Sequence, residues 1–396
     1  MPRGKRKWLL VAGTVLVVAG IAVKLGGEPA LVRYPLNIDQ PLTYTGTATI
    51  GVNPSTGLPL ATPLEVPLRV DRRVKVVRGG YGNAVIDETT AITFAGTTRT
   101  ETYQYVMDRR NMRLIDSPQA YAFGNPANVM ATGDSYRINL PMDTSAHRDY
   151  RLWAPQTDSV VTGRPTGPAH HDPVSGVEVV TFTTALDHPV APYYMKFLEG
   201  QGMPASLSGA SLAAELRADG VNLPAALQAV ASHSTPARAA ALATALSRPV
   251  PLTYSYFQQG SVSVEPATGA VVGATSTREG ISVAPSASAT AGVAAALAPY
   301  TGLPAVAQLA RAAAAIAAPH PVLSMSFTET GASARSAAST ARHLADTAAL
   351  ISWQIPVALI ALGAVLIVGA VLTMPRPAPR RRTHPARPGR HLPKPA

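Results

Sequence analysis

Several polar clusters in the sequence have residue types that could bind a metal ion or another small ligand. His170-His171-Asp172, Asp187-His188 and the pair His147 and Asp149 offer the nitrogen and oxygen donors that many metal ions take. These donors are adjacent rather than spaced, and the first group lies among Pro and Gly residues. We therefore interpret it as a solvated turn that begins at Asp172, and we predict neither a metal nor a cofactor.

Two groups of charged residues could also bind or react. Asp108-Arg109-Arg110 could contact an acidic headgroup, although a charged turn explains the same residues more simply. Asp87 and Glu88 are neighbours in a predicted strand, so their side chains point to opposite faces and form no acid/base pair. We expect them to balance basic residues of a neighbouring strand. These are Arg69, Arg72, Arg73 and Lys75.

Our candidate binding residues are Trp153, Tyr150 and Arg72. Residues 150–155 are the most distinctive aromatic stretch, and Trp153 fits either a ligand pocket or, more simply, a packed core. Arg72 interrupts the apolar face of residues 64–76. We predict no catalytic residue and no enzyme, because the chain lacks the Gly-x-Ser-x-Gly, phosphate-loop, Gly-x-Gly-x-x-Gly and His-Glu-x-x-His motifs.

The net charge of +11 comes from the two ends of the chain. Four basic residues precede residue 8, seven follow residue 374, and the residues between carry equal numbers of acidic and basic groups. This distribution argues against nucleic acid as a partner and favours contact with anionic lipid headgroups. The absence of Cys excludes a disulfide framework, a thiol nucleophile and a lipid-modified cysteine anchor.

Two apolar stretches have the composition of membrane spans. Residues 355–374 are uncharged and about twenty in number, which is enough for a helix to cross the hydrocarbon core. Residues 8–23 are shorter and also fit a signal peptide, but we favour an uncleaved anchor whose Lys24 reaches the interface. Because basic residues flank both spans, we predict a two-pass protein of the cell membrane with both termini in the cytoplasm.

The middle of the chain predicts an α+β fold rich in antiparallel strands. Residues 42–52 and 64–76 alternate apolar and polar side chains, as strands with one buried face do. Shorter strands are expected at 91–94, 103–107 and 322–328. Four segments each begin with an Asx or Glx type residue and close with Gly or Met, and we predict turns there. They are residues 53–57, 108–112, 172–176 and 265–269. Their spacing predicts two similar β-rich lobes, the second with a helical insertion.

Ala-rich segments predict helices among and after these strands. Three are expected in the insertion, at residues 212–219, 225–232 and 237–247. Residues 284–290 are expected to form a polar loop, and residues 291–318 a helix interrupted by prolines. A last helix begins near residue 333 and runs towards the membrane, with a kink at Pro356.

We therefore expect seven segments along the chain. They are a basic cytoplasmic N-terminus (1–7), a first transmembrane helix (8–27), an exported β-rich lobe (28–155), a second lobe (156–332) with a helical insertion (207–247) and Ala-rich helices (291–318), a juxtamembrane helix (333–354), a second transmembrane helix (355–374) and a disordered basic cytoplasmic tail (375–396).

Three short stretches match a known family. They are Tyr105-Val-Met-Asp108-Arg109-Arg110, Leu140-Pro141-Met142-Asp143 followed by Tyr150-Arg-Leu-Trp153-Ala-Pro155, and Val262-Ser-Val-Glu265-Pro266-Ala-Thr268-Gly269. In these stretches and in its layout the chain resembles the actinobacterial envelope proteins of the PorA (porin-A-like) family, formerly a domain of unknown function. The family usually has an acid where this chain has Ala154. The resemblance implies two spans around a β-rich exported domain, and no catalytic residues.

We expect a non-enzymatic, membrane-anchored envelope protein whose exported domain binds or organises an envelope component, a lipid or a partner protein. Two β-rich lobes with covering helices could enclose an apolar ligand. The first alternative is a channel, which would require a homo-oligomer because the sequence lacks the aromatic girdles of a membrane barrel. The second alternative is an envelope hydrolase whose site is assembled from distant residues. The sequence leaves the ligand, the oligomeric state and the cleavage of the first span open.

Overall fold

The computed structural model describes residues 3–27, 33–53 and 59–372 of the chain. The helices of these residues are α1 (Arg3–Ala22), α2 (Pro192–Gly200), α3 (Gly209–Ala218), α4 (Leu223–His233), α5 (Pro236–Ser247), α6 (Ala287–Leu297), α7 (Pro304–Ala317), α8 (Gly331–Ala349) and α9 (Ile355–Leu372). The strands are β1 (Asp39–Val52), β2 (Pro59–Gly79), β3 (Asn83–Phe94), β4 (Thr97–Asp108), β5 (Tyr121–Ala122), β6 (Tyr150–Ala154), β7 (Ser159–Pro165), β8 (His170–His171), β9 (Glu178–Pro189), β10 (Ser206–Leu207), β11 (Val250–Glu265), β12 (Ala270–Pro285) and β13 (His320–Glu329). This mixture of helices and antiparallel strands confirms the predicted α+β class.

The chain divides into two compact units, Met1–Val32 with Ala348–Ala396, and Arg33–Thr347. The first unit contains α1 and α9. Among the described residues two helices are long and apolar enough to cross a membrane, Lys7–Leu25 and Gly331–Leu372, and the second contains the uncharged helix α9. The apolar spans therefore lie where they were predicted, while residues 373–374 and the basic tail 375–396 lie outside the described residues.

Small residues allow α1 and α9 to approach each other closely. A Cβ atom added at Gly13 would lie 2.7 Å from the Gly363 carbonyl oxygen, and one at Gly363 would lie 2.6 Å from the Gly13 carbonyl oxygen. A Cβ atom at Gly20 would lie 2.9 Å from the Pro356 carbonyl oxygen. Glycines at such crossings bring helix backbones together in membranes, where packing drives helix association.

The helix irregularity predicted at Pro356 lies just before it, in the π-helical turn Leu350–Gln354. Proline has no N–H to donate to the carbonyl four residues earlier, and its ring clashes with that carbonyl, so the preceding turn widens. That carbonyl belongs to Ser352, and it accepts a hydrogen bond from Lys24 Nζ at 3.1 Å. The Lys24 ammonium also lies 5.9 Å from the centre of the Trp353 ring.

The second unit is built on one curled antiparallel sheet. Its strand order is β5-β4-β3-β2-β1-β13-β12-β11-β9-β7-β6, with β8 paired to β9 and β10 paired to β11. Because β1 pairs with β13, the first and last strands of the unit meet in the middle of the sheet, and a meander runs outward on each side. The predicted boundary between two lobes, at residue 155, falls inside the β6–β7 hairpin. The proposed similarity of the two halves stays a prediction.

In β1 and in the second half of β2, apolar side chains alternate with polar ones and face the interior of the sheet, as predicted. In β1, Leu42, Tyr44 and Ala48 are buried, because alternate residues of a strand point to the same side. In β2 the same rule holds from Leu68 onward. Leu64 was predicted to face inward but is 52% exposed, because the first half of β2 extends beyond the packed core.

Three of the four predicted turns lie within the described residues, and all three have the same geometry. Met112, Gly176 and Gly269 close these turns with positive φ angles of 62°, 71° and 72°. In each turn the N–H of this residue donates to the carbonyl of the first turn residue, four positions earlier, at 2.8 to 2.9 Å. The predicted turn at 53–57 lies outside the described residues apart from Asn53.

The Ala-rich segments form helices, as predicted. Helices α3, α4 and α5 occupy the insertion and share a separate apolar core with α6 and α7. The prediction of a polar loop at 284–290 is wrong, because α6 already begins at Ala287 and its small residues do not oppose a helix. Helix α8 packs its alanines, Ala337, Ala338 and Ala341, into an apolar cluster with strands of the sheet.

Candidate functional site

The curled sheet surrounds part of a cavity of about 180 Å³, and the cavity wall contains a polar cluster. Its charged members are three arginines and three glutamates: Arg72, Arg99, Arg137, Glu88, Glu101 and Glu279. All except Arg137 lie on strands β2, β3, β4 and β12. Charged residues at inward-facing strand positions must find partners inside the sheet, since burying an unpaired charge is strongly unfavourable.

Glu88 of β3 is a fully buried carboxylate between two guanidinium groups. Arg137 donates to it from Nη2 at 2.8 Å and from Nε at 3.2 Å, and Arg72 Nε lies 2.9 Å from a carboxylate oxygen. The hydroxyl of Tyr105 donates to it at 2.7 Å. Burial alone would raise the pKa of Glu88, but the charges of Arg137 and Arg72 and these hydrogen bonds lower it to about 2.

The predicted balance of charge between β2 and β3 is confirmed for Arg72 and Glu88 and wrong for two other arginines. Arg69 pairs with Asp71 on its own strand, at 2.7 Å. Arg73 pairs across the sheet with Asp39 of β1, at 2.7 Å from Nε. Both of these pairs are exposed, since they lie on strand positions that point away from the cavity.

Glu101 of β4 is a second buried carboxylate, and it accepts four hydrogen bonds. They come from Arg99 Nη2 at 3.1 Å, Gln156 Nε2 at 3.3 Å, and the hydroxyls of Tyr103 at 2.9 Å and Tyr194 at 2.7 Å. Arg99 Nη2 also donates to the Tyr194 oxygen at 2.6 Å. Because Tyr194 belongs to α2, this carboxylate attaches the helix to the inner face of the sheet.

Glu279 of β12 is the third carboxyl group, and its surroundings differ. The hydroxyl of Tyr256 donates to it, and no described arginine or lysine lies within ion-pair distance of it. Burial raises the pKa of Glu279, and the hydrogen bonds of Tyr256 and Ser276 oppose this rise only in part. Burial likewise raises the pKa of the Tyr256 hydroxyl. Glu279 is thus a buried carboxyl of the cluster without a guanidinium partner among the described residues, and burial raises its pKa.

The rest of the cavity wall is largely apolar. Strands β2, β3 and β13 contribute Val70, Ile92, Phe94, Leu323, Met325 and Phe327. On β3, residues 88, 90, 92 and 94 all line the cavity, so one face of one strand changes from charged to apolar within six residues. Six residues of a strand extend over about 20 Å. The cavity is therefore amphipathic, which suits a ligand with both a polar and an apolar part.

Two of the three predicted binding residues line this cavity. Arg72 does so beside Glu88, and Trp153 does so with its ring edge-on to Tyr105, 5.5 Å between ring centres. Trp153 is only 1% exposed, which fits the packed-core interpretation as well. Tyr150 does not line the cavity, and its hydroxyl accepts a hydrogen bond from the Ser145 N–H at 2.9 Å.

Several members of the cluster were missed in the sequence. Arg99 and Glu101 could have been found, because they alternate with Tyr103 on one face of a strand as Arg72 alternates with valines. Arg137 lies in an irregular segment, and Tyr194 lies on α2, a helix that the sequence analysis did not predict. No local pattern indicated that either would reach the sheet.

The other candidate groups stay apart from the cavity. The described residues contain no cluster of His, Cys, Asp or Glu that could hold a metal ion. His170 and His171 are exposed, and Asp172 accepts a hydrogen bond from the Ser175 N–H at 2.7 Å within its own turn. Arg109 donates to the carbonyl oxygens of Tyr34 and Gly80, both at 2.7 Å, as expected of a structural turn.

A family model described as Porin PorA matches residues 7–372, which is nearly the whole chain. The matched region includes both apolar helices and every residue of the cavity wall. No protein with a curated description matches the chain in sequence.

Proposed function

The chain belongs to the Porin PorA family of porin-like membrane proteins, and from this premise we propose that it binds a component of the cell envelope without catalysing a reaction. The component occupies the amphipathic cavity of residues 33–347. The observation that supports this proposal most is the combination of buried guanidinium groups and apolar side chains around one cavity. A cavity inside a curled sheet favours a small molecule or a lipid over a protein partner, because proteins recognise each other through exposed surfaces.

The proposal includes a topology. Residues 33–347 lie outside the cytoplasm, and both termini lie inside, because basic residues flank the two apolar helices. Protease added to intact cells should digest residues 33–347, while a reporter enzyme fused to the C-terminus should stay protected. Digestion of the reporter, or protection of the middle of the chain, would contradict this topology.

The bound component can be sought directly on the full chain. We would purify the protein in nanodiscs without detergent exchange, extract it with organic solvent and identify the released compounds by mass spectrometry. Thr90 lines the cavity between Glu88 and Ile92, so Thr90→Phe should fill the space. Thr89 is the next residue on the same strand, and it points to the opposite face, so Thr89→Phe is the matched control.

The expected result is one class of compound that accompanies the wild type and Thr89→Phe but is depleted from Thr90→Phe. Compounds that accompany all three proteins equally are bulk membrane lipid. If no compound depends on an open cavity, the binding proposal is wrong.

A channel is the second candidate function, and the family description favours it. In this version several copies surround a pore, and the cavity within each copy has a structural role. Planar bilayers containing purified protein should then show stepwise conductance that Thr90→Phe leaves unchanged. Stepwise conductance that Thr90→Phe abolishes would connect the two functions, and silence at high protein load would reject the channel.

A further inference from the structure

The charged groups of the cavity wall differ in how completely the protein pairs them. Two of the three carboxylates already accept several hydrogen bonds: Glu88 accepts them from Tyr105 and from Nε and Nη2 of Arg137, and Glu101 accepts four. A carboxylate has about four lone-pair sites, so Glu101 has no site left for a donor from a ligand and Glu88 has about one. Among the charged groups of this wall, a ligand that supplied donors would therefore find free acceptor sites mainly at Glu279.

Some N–H groups of the arginines in this wall have no hydrogen-bond acceptor in the part of the chain that the structure describes. Arg99 Nε is buried and has no hydrogen-bond partner among the described residues. Arg72 Nε lies 2.9 Å from a Glu88 oxygen, but its N–H does not point at that oxygen. This N–H therefore also lacks a hydrogen-bond acceptor among the described residues. Leaving a buried N–H without an acceptor is unfavourable, so these positions favour a ligand that brings an acceptor.

The charges of the cavity wall also favour an anionic ligand. Three guanidinium groups face three carboxyl groups, but Glu279 has a tyrosine hydroxyl rather than a guanidinium as its partner. Burial raises the pKa of Glu279, which favours its neutral form. Whenever Glu279 is protonated, the wall has three guanidinium groups against the carboxylates of Glu88 and Glu101. A site with this balance of charge attracts an anion.

Arg99 lies where the polar and apolar parts of the wall meet. In the β3–β4 register it stands opposite Ile92, which belongs to the apolar part. Its guanidinium carbon lies 4.6 Å from the centre of the Phe197 ring, a cation–π distance that holds the group in place. A ligand whose acceptor atom contacts Arg99 Nε would therefore place its neighbouring atoms against apolar side chains.

We infer that the cavity binds an organic anion with an apolar body, its anionic oxygens at Arg99 and its body against Ile92, Phe94 and Phe327. The inference rests on the proposed function, since it names the chemical class of the component in the same cavity. Cavities of about 150 Å³ hold a benzene-sized ligand, so a volume of about 180 Å³ suits a short-chain carboxylate or phosphate, or the head of a longer one.

A charge series tests the inference on the unchanged protein. Full chain in phosphatidylcholine nanodiscs is titrated calorimetrically with octanoate, octyl phosphate, octanamide, octylammonium and inorganic phosphate, with empty nanodiscs as the blank. Octanoate or octyl phosphate should bind saturably, and the better of the two identifies a carboxylate or a phosphate as the head. Octanamide should bind at least about tenfold more weakly, because a neutral amide oxygen makes a weaker hydrogen bond to a guanidinium group than an anionic oxygen does.

The contrary results separate the two proposals. If octanamide or octylammonium binds as tightly as the anions, the cavity takes amphiphiles but the preference for an anion is wrong, and the proposed function stands. If inorganic phosphate alone binds, the apolar body is unnecessary and the inference is wrong. If no probe binds and no compound depends on the open cavity in the extraction experiment, both proposals are wrong.

Paired substitutions locate the anion. Arg99→Gln with Glu101→Gln removes a buried ion pair without leaving either charge alone, and it should weaken anion binding about tenfold or more. Arg73→Gln with Asp39→Asn removes an exposed ion pair in the same way and should leave binding unchanged. Equal anion affinity in both double variants would contradict a role for Arg99. The charge series on the wild type decides the preference for an anion even if the first double variant fails to fold.

Discussion

Glu88 makes the stability of residues 33–347 depend on one buried carboxylate. Replacing Glu88 by Gln should lower the free energy of unfolding by about 3–5 kcal/mol, because Arg72 and Arg137 would lose their common counter-charge. Denaturant unfolding of the full chain, followed by tryptophan fluorescence, measures this change. Asp39→Asn breaks an exposed pair with Arg73 and should leave the midpoint nearly unchanged. Equal effects of the two substitutions would contradict the assignment.

The same carboxylate should make stability fall in acid. The folded chain lowers the pKa of Glu88 from its ordinary value of 4.5 to about 2, so folding favours the ionised form. The stabilisation is complete above about pH 4.5 and is lost as the pH falls towards 2. Wild-type protein should lose stability across this range, and Glu88→Gln should lose less. A pH profile that is the same for both proteins would exclude Glu88 as the cause.

Glu279 should have the opposite dependence on pH. Burial raises its pKa above the ordinary value of 4.5, so the folded chain holds this proton more tightly than the unfolded chain does. Its contribution to stability is therefore complete below pH 4.5 and declines as the pH rises through the raised pKa. Glu279→Gln mimics the protonated form and should flatten this decline, which urea midpoints between acidic and neutral pH would show. An unchanged slope would mean that Glu279 is ionised without penalty.

At the scale of single elements, the β11–β12 hairpin depends on a glycine. Gly269 has a φ of 72°, and a Cβ atom there would lie 2.0 Å from the Leu140 carbonyl oxygen. Gly269→Ala should lower the free energy of unfolding by about 1–3 kcal/mol through this clash and the strained backbone. Gly302→Ala is the control, because a Cβ atom there meets nothing within 4 Å. A loss of stability as small as that of the control would show that the turn can relax.

The pair of helices α1 and α9 should depend on the glycines at their crossing. Gly363→Leu places a side chain where a Cβ atom alone would lie 2.6 Å from the Gly13 carbonyl oxygen. Gly369→Leu is the control on the same helix, because a Cβ atom there meets nothing within 4 Å. With a protease site inserted between residues 28 and 32, the cleaved α1 fragment should copurify with the wild type and with Gly369→Leu. Its loss from Gly363→Leu is expected, and its retention there would contradict close packing through Gly13.

Elements whose signals are local could be predicted from the sequence. β1 and β13 were found from alternation, and three turns were found from their Asx or Glx start and their closing residue. Helix α2 was missed because its nine residues are too few for a clear helical period between two strands. The start of α6 was placed too late because Ala and Ser residues fit a loop and a helix equally well.

At the scale of the whole molecule, the missing information was which distant segments meet. The pairing of β1 with β13 joins residues at opposite ends of the unit, and no local pattern specifies such a pairing. Arg72 was predicted as a candidate because it interrupts an apolar face. The prediction did not extend to Arg137 and Tyr194, because they reach the cavity through an irregular segment and through α2. A site formed by side chains inside a curled sheet can be identified only when the pairing of the strands is known.

The central claim is that the cavity of residues 33–347 holds an envelope component. The most direct test is an experimental density map of the full chain, purified from its own membrane without delipidation, at a resolution that distinguishes water from a bound molecule. The account predicts continuous non-protein density in the cavity, with one end at the Arg99 guanidinium and the other along Ile92 and Phe94. A cavity that contains only separate water molecules in that preparation would contradict it.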